Sequence, residues 1–280
     1  MKTVFLSFAA LVFVVVVLSA VAQARWRAGT AAEVARLEAA APRESPGRFD
    51  PAALDSLPAP VARYLRAALR DGTPLVRHAT IRHAGEFRAD TTGGAWVPLR
   101  SSEHFTALSP GFVWDARIRM APFADAWVRD ELIAGVAAMR ARVAAVATVA
   151  DVAGTPALAA GALHRWLGEA VWFPTALLPS RFLRWSAVDD STAAATATAG
   201  AATVSLVFHF GPDSLPRFAE TPARMRDVGG VGVPTPWRAR LWAWQWRGGM
   251  RVPTRSEVEW GLASGPRPYW RATVTEAVYE

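Results

Sequence analysis

The sequence predicts an α+β fold, one large curved antiparallel β-sheet with a few helices packed on one face. Three observations carry this expectation. Apolar residues recur at every second position along most of the chain after Leu75, Gly and Pro turns separate these runs, and only a few stretches keep the 3.6-residue period of a helix. In the run from Phe112 to Met120, the side chains of Phe112, Trp114, Ala116, Ile118 and Met120 fall on one face, and Asp115, Arg117 and Arg119 on the other. The same alternation recurs through Val204, Leu206, Phe208 and Phe210, through Met250, Val252, Val258 and Trp260, and through Trp270, Ala272, Val274 and Val278. Residues 127–150 are Ala-rich enough for a helix yet end in a Val-Ala alternation, so both readings stand there.

The helical stretches have identifiable starts and stops. Thr30-Ala-Ala-Glu33 reads as a capping box, in which the hydroxyl and the carboxylate each satisfy an amide of the first turn, with a helix following to about Ala41 before Pro42. Residues 42–47 read as a linker. A second helix starts at Pro60, with Val61, Tyr64, Leu65 and Ala68 on its apolar face, and closes at Asp71-Gly72. Thr155-Pro156 caps a third that runs through Leu163, Trp166, Leu167 and Val171 to Pro174. All three are expected to cover one face of the sheet.

Ahead of these elements, the nineteen residues Val4–Ala22 carry no charge and follow a single basic residue, Lys2. About 20 apolar residues in helix span a bilayer core, and Ala22-Gln23-Ala24 is the small-x-small pattern that signal peptidases cut. Residues 1–24 are therefore a signal peptide or a membrane anchor helix. Residues 25–49 form a helix and linker, and 50–280 a single α+β domain, placed at the cell membrane or envelope on the extracytoplasmic side.

Composition narrows the function. The chain has no cysteine, which excludes disulfides and thiol nucleophiles. Its net charge of +7 rests almost wholly on arginines scattered along the chain, Lys2 being the only lysine. With no recognition-helix or aromatic-basic signature beside it, this charge does not point to nucleic acid. No pair among His78, His83, His104, His164 and His209 has metal-ligand spacing, so no metal is expected, and no nucleophile-elbow, phosphate-loop or dinucleotide motif implies a cofactor.

A few residues could still carry chemistry. Glu169 lies in Trp166-Leu-Gly-Glu-Ala-Val-Trp172, where a carboxylate needs a reason: either burial makes it an acid or base, or Arg165 one turn earlier pairs with it, the reading preferred here. Asp115 and Arg117 share the polar face of one strand, where solvated cross-strand pairing is the simpler account. Trp242, Trp244 and Trp246 fall on one strand face and can line an apolar pocket or fill a core.

Four segments carry a family resemblance: Leu57-Pro-Ala-Pro-Val-Ala-Arg-Tyr-Leu65, Pro110-Gly-Phe-Val-Trp-Asp-Ala-Arg117, Glu169-Ala-Val-Trp-Phe-Pro-Thr-Ala-Leu-Leu-Pro-Ser180 and Pro253-Thr-Arg-Ser-Glu-Val-Glu-Trp260. Over roughly residues 50–280 the chain resembles an uncharacterised bacterial membrane-associated family whose members have no assigned activity. The sheet-and-helix plan is also similar to the half-barrel of bacterial lipoprotein carriers, which hold acyl chains. The resulting expectation is a membrane-tethered or exported protein that binds or carries a lipid-like apolar ligand through Trp114, Asp115, Arg117, Glu169, Trp172, Trp242 and Trp244. Two alternatives stand beside it: an envelope enzyme using Glu169 with Asp115 or His104 as acid and base, and a scaffold for a membrane complex.

Overall fold

The computed structural model describes residues 2–42, 47–89, 93–121 and 124–280, with the side chains of residues 2–6, 8–12 and 15 outside that set. Most of the linker expected at 42–47 therefore lies outside the described residues. Six strands form a first antiparallel meander: β1 (His78–Phe87), β2 (Val97–Thr106), β3 (Gly111–Ala121), β4 (Ala124–Ile133), β5 (Val136–Val143) and β6 (Ala147–Ala153). A second meander follows: β7 (Leu183–Asp189), β8 (Thr192–Ala199), β9 (Ala202–Phe210), β10 (Pro216–Val228), β11 (Val231–Arg247), β12 (Met250–Leu262) and β13 (Gly265–Tyr279). Strands β1 and β13 pair antiparallel, from Ala79 opposite Tyr279 to Phe87 opposite Trp270. This joins the two meanders into one sheet of 13 strands among the described residues, with β6 and β7 at its edges.

That strand order dictates where the central helix goes. The chain leaves the sheet at one edge and re-enters at the other, so the segment between β6 and β7 must cross the sheet, and an apolar helix gains most by crossing against the apolar face. Helix α3 (Pro156–Glu169) makes the crossing and is followed by 3₁₀ turns at Ala170–Trp172 and Pro174–Leu177. Its start is the predicted cap, Thr155 Oγ1 accepting from Leu158 N at 3.2 Å with Pro156 in the first turn. Leu163, Trp166 and Leu167 are fully buried, and α3 packs on β8–β11 of one limb and β3–β5 of the other. The sheet thus curls into a half-barrel around it. At one end the limbs meet: a Cβ placed on Gly135, in the β4–β5 turn, would lie 2.6 Å from the Gly200 backbone in the β8–β9 turn.

Helix α2 (Ala59–Ala68) packs on the same inner face, with the Tyr64 ring 5.7 Å from Phe210 and 6.2 Å from Trp244. The chain ends this helix sooner than Asp71-Gly72, because Leu69 turns extended to bridge Met250. Residues 127–150 are strands throughout, the Gly135 turn (φ 81°) and the positive φ of Ala134, Ala144 and Ala145 folding them into hairpins that a helix would not permit.

Helix α1 corrects two expectations. It is one continuous helix, Lys2–Ala40, so Thr30 sits in its interior rather than at a cap, with its hydroxyl oxygen 3.2 Å from Trp26 O. It also packs on the outer face of the sheet, opposite α2 and α3, with Trp26 against Trp127, and Leu37 against Val113 and Ile133. The sequence pattern assigns it to the wrong face because the apolar marks of that seat, Val113, Trp127 and Ile133, are scattered among Asp115, Arg117, Arg129 and Glu131 in otherwise polar registers. Among the described residues no helix is long and apolar enough to cross a membrane. The reading of residues 1–24 as signal or anchor falls largely on side chains outside the described set. Of those described, Phe13, Val14 and Val16–Leu18 are exposed.

Candidate functional site

Alternation of side chains across the strands sorts the candidate residues onto two faces. On the inner face, Trp114 of β3 lies beside Glu103 of β2 and Asp130 of β4, both in cross-strand register with it. Above them α3 presents Arg165 and Glu169. The Arg165 guanidinium lies over the Trp114 ring at 4.5 Å and the Phe112 ring at 5.0 Å. It donates from Nη2 to Glu103 Oε1 at 2.8 Å, from Nη1 to Asp130 Oδ2 at 3.0 Å and from Nε to Glu169 Oε1 at 2.9 Å. The Arg165–Glu169 pairing is the one expected from their spacing of one helical turn.

One cation facing three carboxyl groups, Glu103 fully buried and Asp130 and Glu169 largely so, cannot balance them all as anions. Burial, opposed by Arg165 and reinforced by Glu169 and Asp130, holds Glu103 well above the usual carboxylate range, and burial raises Glu169 as well against the pull of Arg165. The remaining oxygens, Glu103 Oε2 and Glu169 Oε2, have no other partner. A proton on Glu103, donated to the Glu169 carboxylate, satisfies both. Burial by itself works against the Arg165 charge, and its three partners outweigh that cost, keeping the guanidinium ionised.

Beside this cluster the inner face stays open in a cavity of about 430 Å³. Its walls are aromatic: Phe87, Trp114, Trp237, Trp260, Tyr269 and Trp270. The Trp260 and Tyr269 rings stack at 5.6 Å, and Tyr269 Oη accepts from Trp237 Nε1 at 3.0 Å. Arg224 of β10 caps this wall, donating to Gly161 O of α3 at 3.1 Å and to Tyr269 Oη at 3.2 Å while lying over Trp237 and Trp260. Trp172 backs the cavity from the core, 6.5 Å from Trp270 and 4.5 Å from His83. His83 is buried without a partner for either ring nitrogen, and burial, with Arg165 adding to it, pushes its imidazole down to about 3.

The other expected residues lie elsewhere. Asp115, Arg117 and His104 are on the outer face, lining a groove of about 770 Å³ between α1 and the sheet. There Asp115 Oδ2 accepts from Trp26 Nε1 at 2.8 Å and from Thr30 Oγ1, Arg117 covers the Trp127 ring at 3.8 Å, and His104 Nδ1 pairs with Thr80 Oγ1 at 3.2 Å. The sheet separates these groups from Glu169, so they do not converge as an acid-base set. The Trp242–Trp246 stripe is broken by Ala243, whose φ of 56° interrupts the extended backbone. Trp244 packs edge-on to Tyr64, whereas Trp242 and Trp246 are exposed. Sequence reasoning missed Glu103 and Asp130, although each leaves a signal: an acid in the apolar register of its strand, between Ser101 and Phe105 and between Val128 and Leu132.

Fold and cavity together define a half-barrel with a helix across its inner face and an aromatic pocket beside a cluster of one arginine and three carboxyl groups. Residues 55–279 match the model of a family of unknown function, DUF6920, and the chain belongs to that family. Two solved structures are similar to it. One is a LolA superfamily protein from Nitrosomonas europaea, 14% identical, with 72% of this chain and 86% of that chain covered and a TM-score of 0.40. The other is a β-barrel-like protein of a domain of unknown function, DUF1849, from Brucella abortus, 11% identical, with 74% and 98% covered and a TM-score of 0.23. No curated protein matches the chain.

Proposed function

We propose that this protein binds a lipid-like apolar molecule in the inner cavity and carries it at the cell envelope. The observation that supports this reading most is the aromatic wall of Trp114, Trp237, Trp260, Tyr269 and Trp270 around open space of about 430 Å³. Tryptophan faces left uncovered inside a sheet cost hydration free energy that an apolar guest removes. Trp114 and Glu169 touch the guest, and Trp172 supports Trp270 from behind. The apolar run Val4–Ala22, with Phe13 and Leu18 exposed, holds the body at a membrane, and the unbroken helix α1 sets its distance from that surface.

The test is purification of the full chain, followed by mass spectrometry of its organic extract and uptake of a fluorescent acyl probe. Co-purifying lipid and saturable uptake are expected. Val258→Trp, which fills the cavity, should lower uptake more than about ten-fold, whereas Trp242→Ala, outside the cavity, should leave it unchanged. A folded, ligand-free protein that takes up no probe would overturn the reading.

A further inference from the structure

The cavity is electrically lopsided. The part of its wall around α3 repels anions: Arg165 is fully engaged by Glu103, Asp130 and Glu169, and the cluster leaves a carboxylate charge in excess of its one cation. Three further arginines line the same cavity, Arg88 after β1 and Arg224 and Arg226 of β10. None of the three forms an ion pair among the described residues, whereas nine other arginines do. Arg224 is held by a carbonyl and a phenol hydroxyl, Arg88 lies over the Trp96 ring at 4.5 Å, and the Nε atoms of Arg88 and Arg226 are buried with no acceptor. The nearby carboxylate of Asp227 accepts instead from Gly230 N at 3.0 Å.

We infer that the cavity selects an anionic amphiphile, with its phosphate or carboxylate head at Arg88, Arg224 and Arg226 and its apolar chain along the tryptophan wall. This rests on the cavity reading above. Buried guanidinium N–H groups without acceptors are costly, and a phosphate or carboxylate oxygen is the acceptor that satisfies them in pairs. The negative cluster orients the guest, because an anionic head placed there would meet Asp130 and Glu169. An amphiphile with a cationic head would face the opposite arrangement, with three arginines at its head.

The probes are dodecyl phosphate, dodecanol and dodecyltrimethylammonium below their micellar concentrations, titrated into the full chain at low salt with tryptophan fluorescence as the readout. Dodecyl phosphate should bind at least ten-fold more tightly than dodecanol, and the ammonium should bind more weakly than either. Arg88→Gln with Arg226→Gln should bring phosphate and alcohol within about two-fold of each other, and Arg88→Lys with Arg226→Lys should keep most of the preference. Equal binding of phosphate and alcohol, or tighter binding of the ammonium, would overturn this inference while leaving the cavity reading intact. Failure of all three probes would sink both. Inorganic phosphate serves as competitor: full displacement of dodecyl phosphate at millimolar concentration would mean a bare anion site and also overturn the proposal, whereas weak displacement supports an amphiphile.

Discussion

Trp26 Nε1 donates a 2.8 Å hydrogen bond to Asp115 Oδ2, linking helix α1 to the outer face of β3 across 89 positions of sequence. The same carboxylate accepts from Thr30, and Arg129 completes the knot by donating to Thr30 Oγ1 and to Trp26 O while covering the Trp26 ring at 4.6 Å. Asp115→Ala removes the acceptor for two donors and a carboxylate charge that favours the ionised form of Arg129. A buried hydrogen bond lost with its partner left unsatisfied costs about 1–3 kcal/mol. The expected outcome is loosening of α1 with the half-barrel intact, read as faster amide exchange and proteolysis in residues 25–40 while exchange in β8–β12 stays unchanged.

Arg165 is the residue the inner face can least spare. Arg165→Met leaves Glu103, Asp130 and Glu169 without their shared cation, and breaking a buried pair by deleting one partner costs about 3–5 kcal/mol. Urea denaturation should show this loss. Adding Glu103→Gln and Glu169→Gln to Arg165→Met should recover a large part of it, since neutral side chains no longer need the guanidinium.

Glu103 predicts an alkaline slope. Its folded pKa is raised above the ordinary 4.5, so the folded state holds a proton that the unfolded chain releases. The stability it contributes is fully present below 4.5 and is lost as pH rises through the folded value. Glu103→Gln mimics the protonated form and should flatten the fall in unfolding free energy above pH 4.5. An unchanged slope would mean that Glu103 is ionised in the fold.

His83 and His164 act on the acid side. Burial is the leading cause for both, lowering them to about 3 and about 4 from 6.5, so each is neutral in the fold and binds a proton more readily when unfolded. Their contribution is present above 6.5 and is lost as pH falls toward those values, at up to about 1.4 kcal/mol per pH unit for each. His83→Met should remove close to one proton from the pH dependence between 6 and 4, and at neutral pH it should not destabilise, because neither ring nitrogen has a partner to lose.

The meeting of the two limbs is testable at one glycine. Gly135 has φ 81°, and a Cβ there would press on Gly200 Cα at 2.6 Å. Gly135→Ala should cost about 1–2 kcal/mol by combining left-handed strain with that overlap. A lowered melting temperature together with increased probe exchange would tie closure of the limbs to retention of the guest.

The period of two, the caps at Thr155 and Pro156 and the breaks at Gly and Pro are local properties, and from them the sequence alone determined the sheet, its strands on either side of α3 and the Arg165–Glu169 pair. Which limb pairs with which, and which face each helix takes, depends on contacts between residues far apart in the chain, such as Ala79 with Tyr279 and Trp26 with Asp115. Thr30 shows the difference well: its spacing to Glu33 is that of a cap, yet the apolar residues before it continue the helix, and its hydroxyl is spent on β3 instead. Glu103, Asp130 and Arg165 lie on three elements that only the curl of the sheet brings together, so their shared charge balance, and the cavity beside it, belong to the tertiary structure.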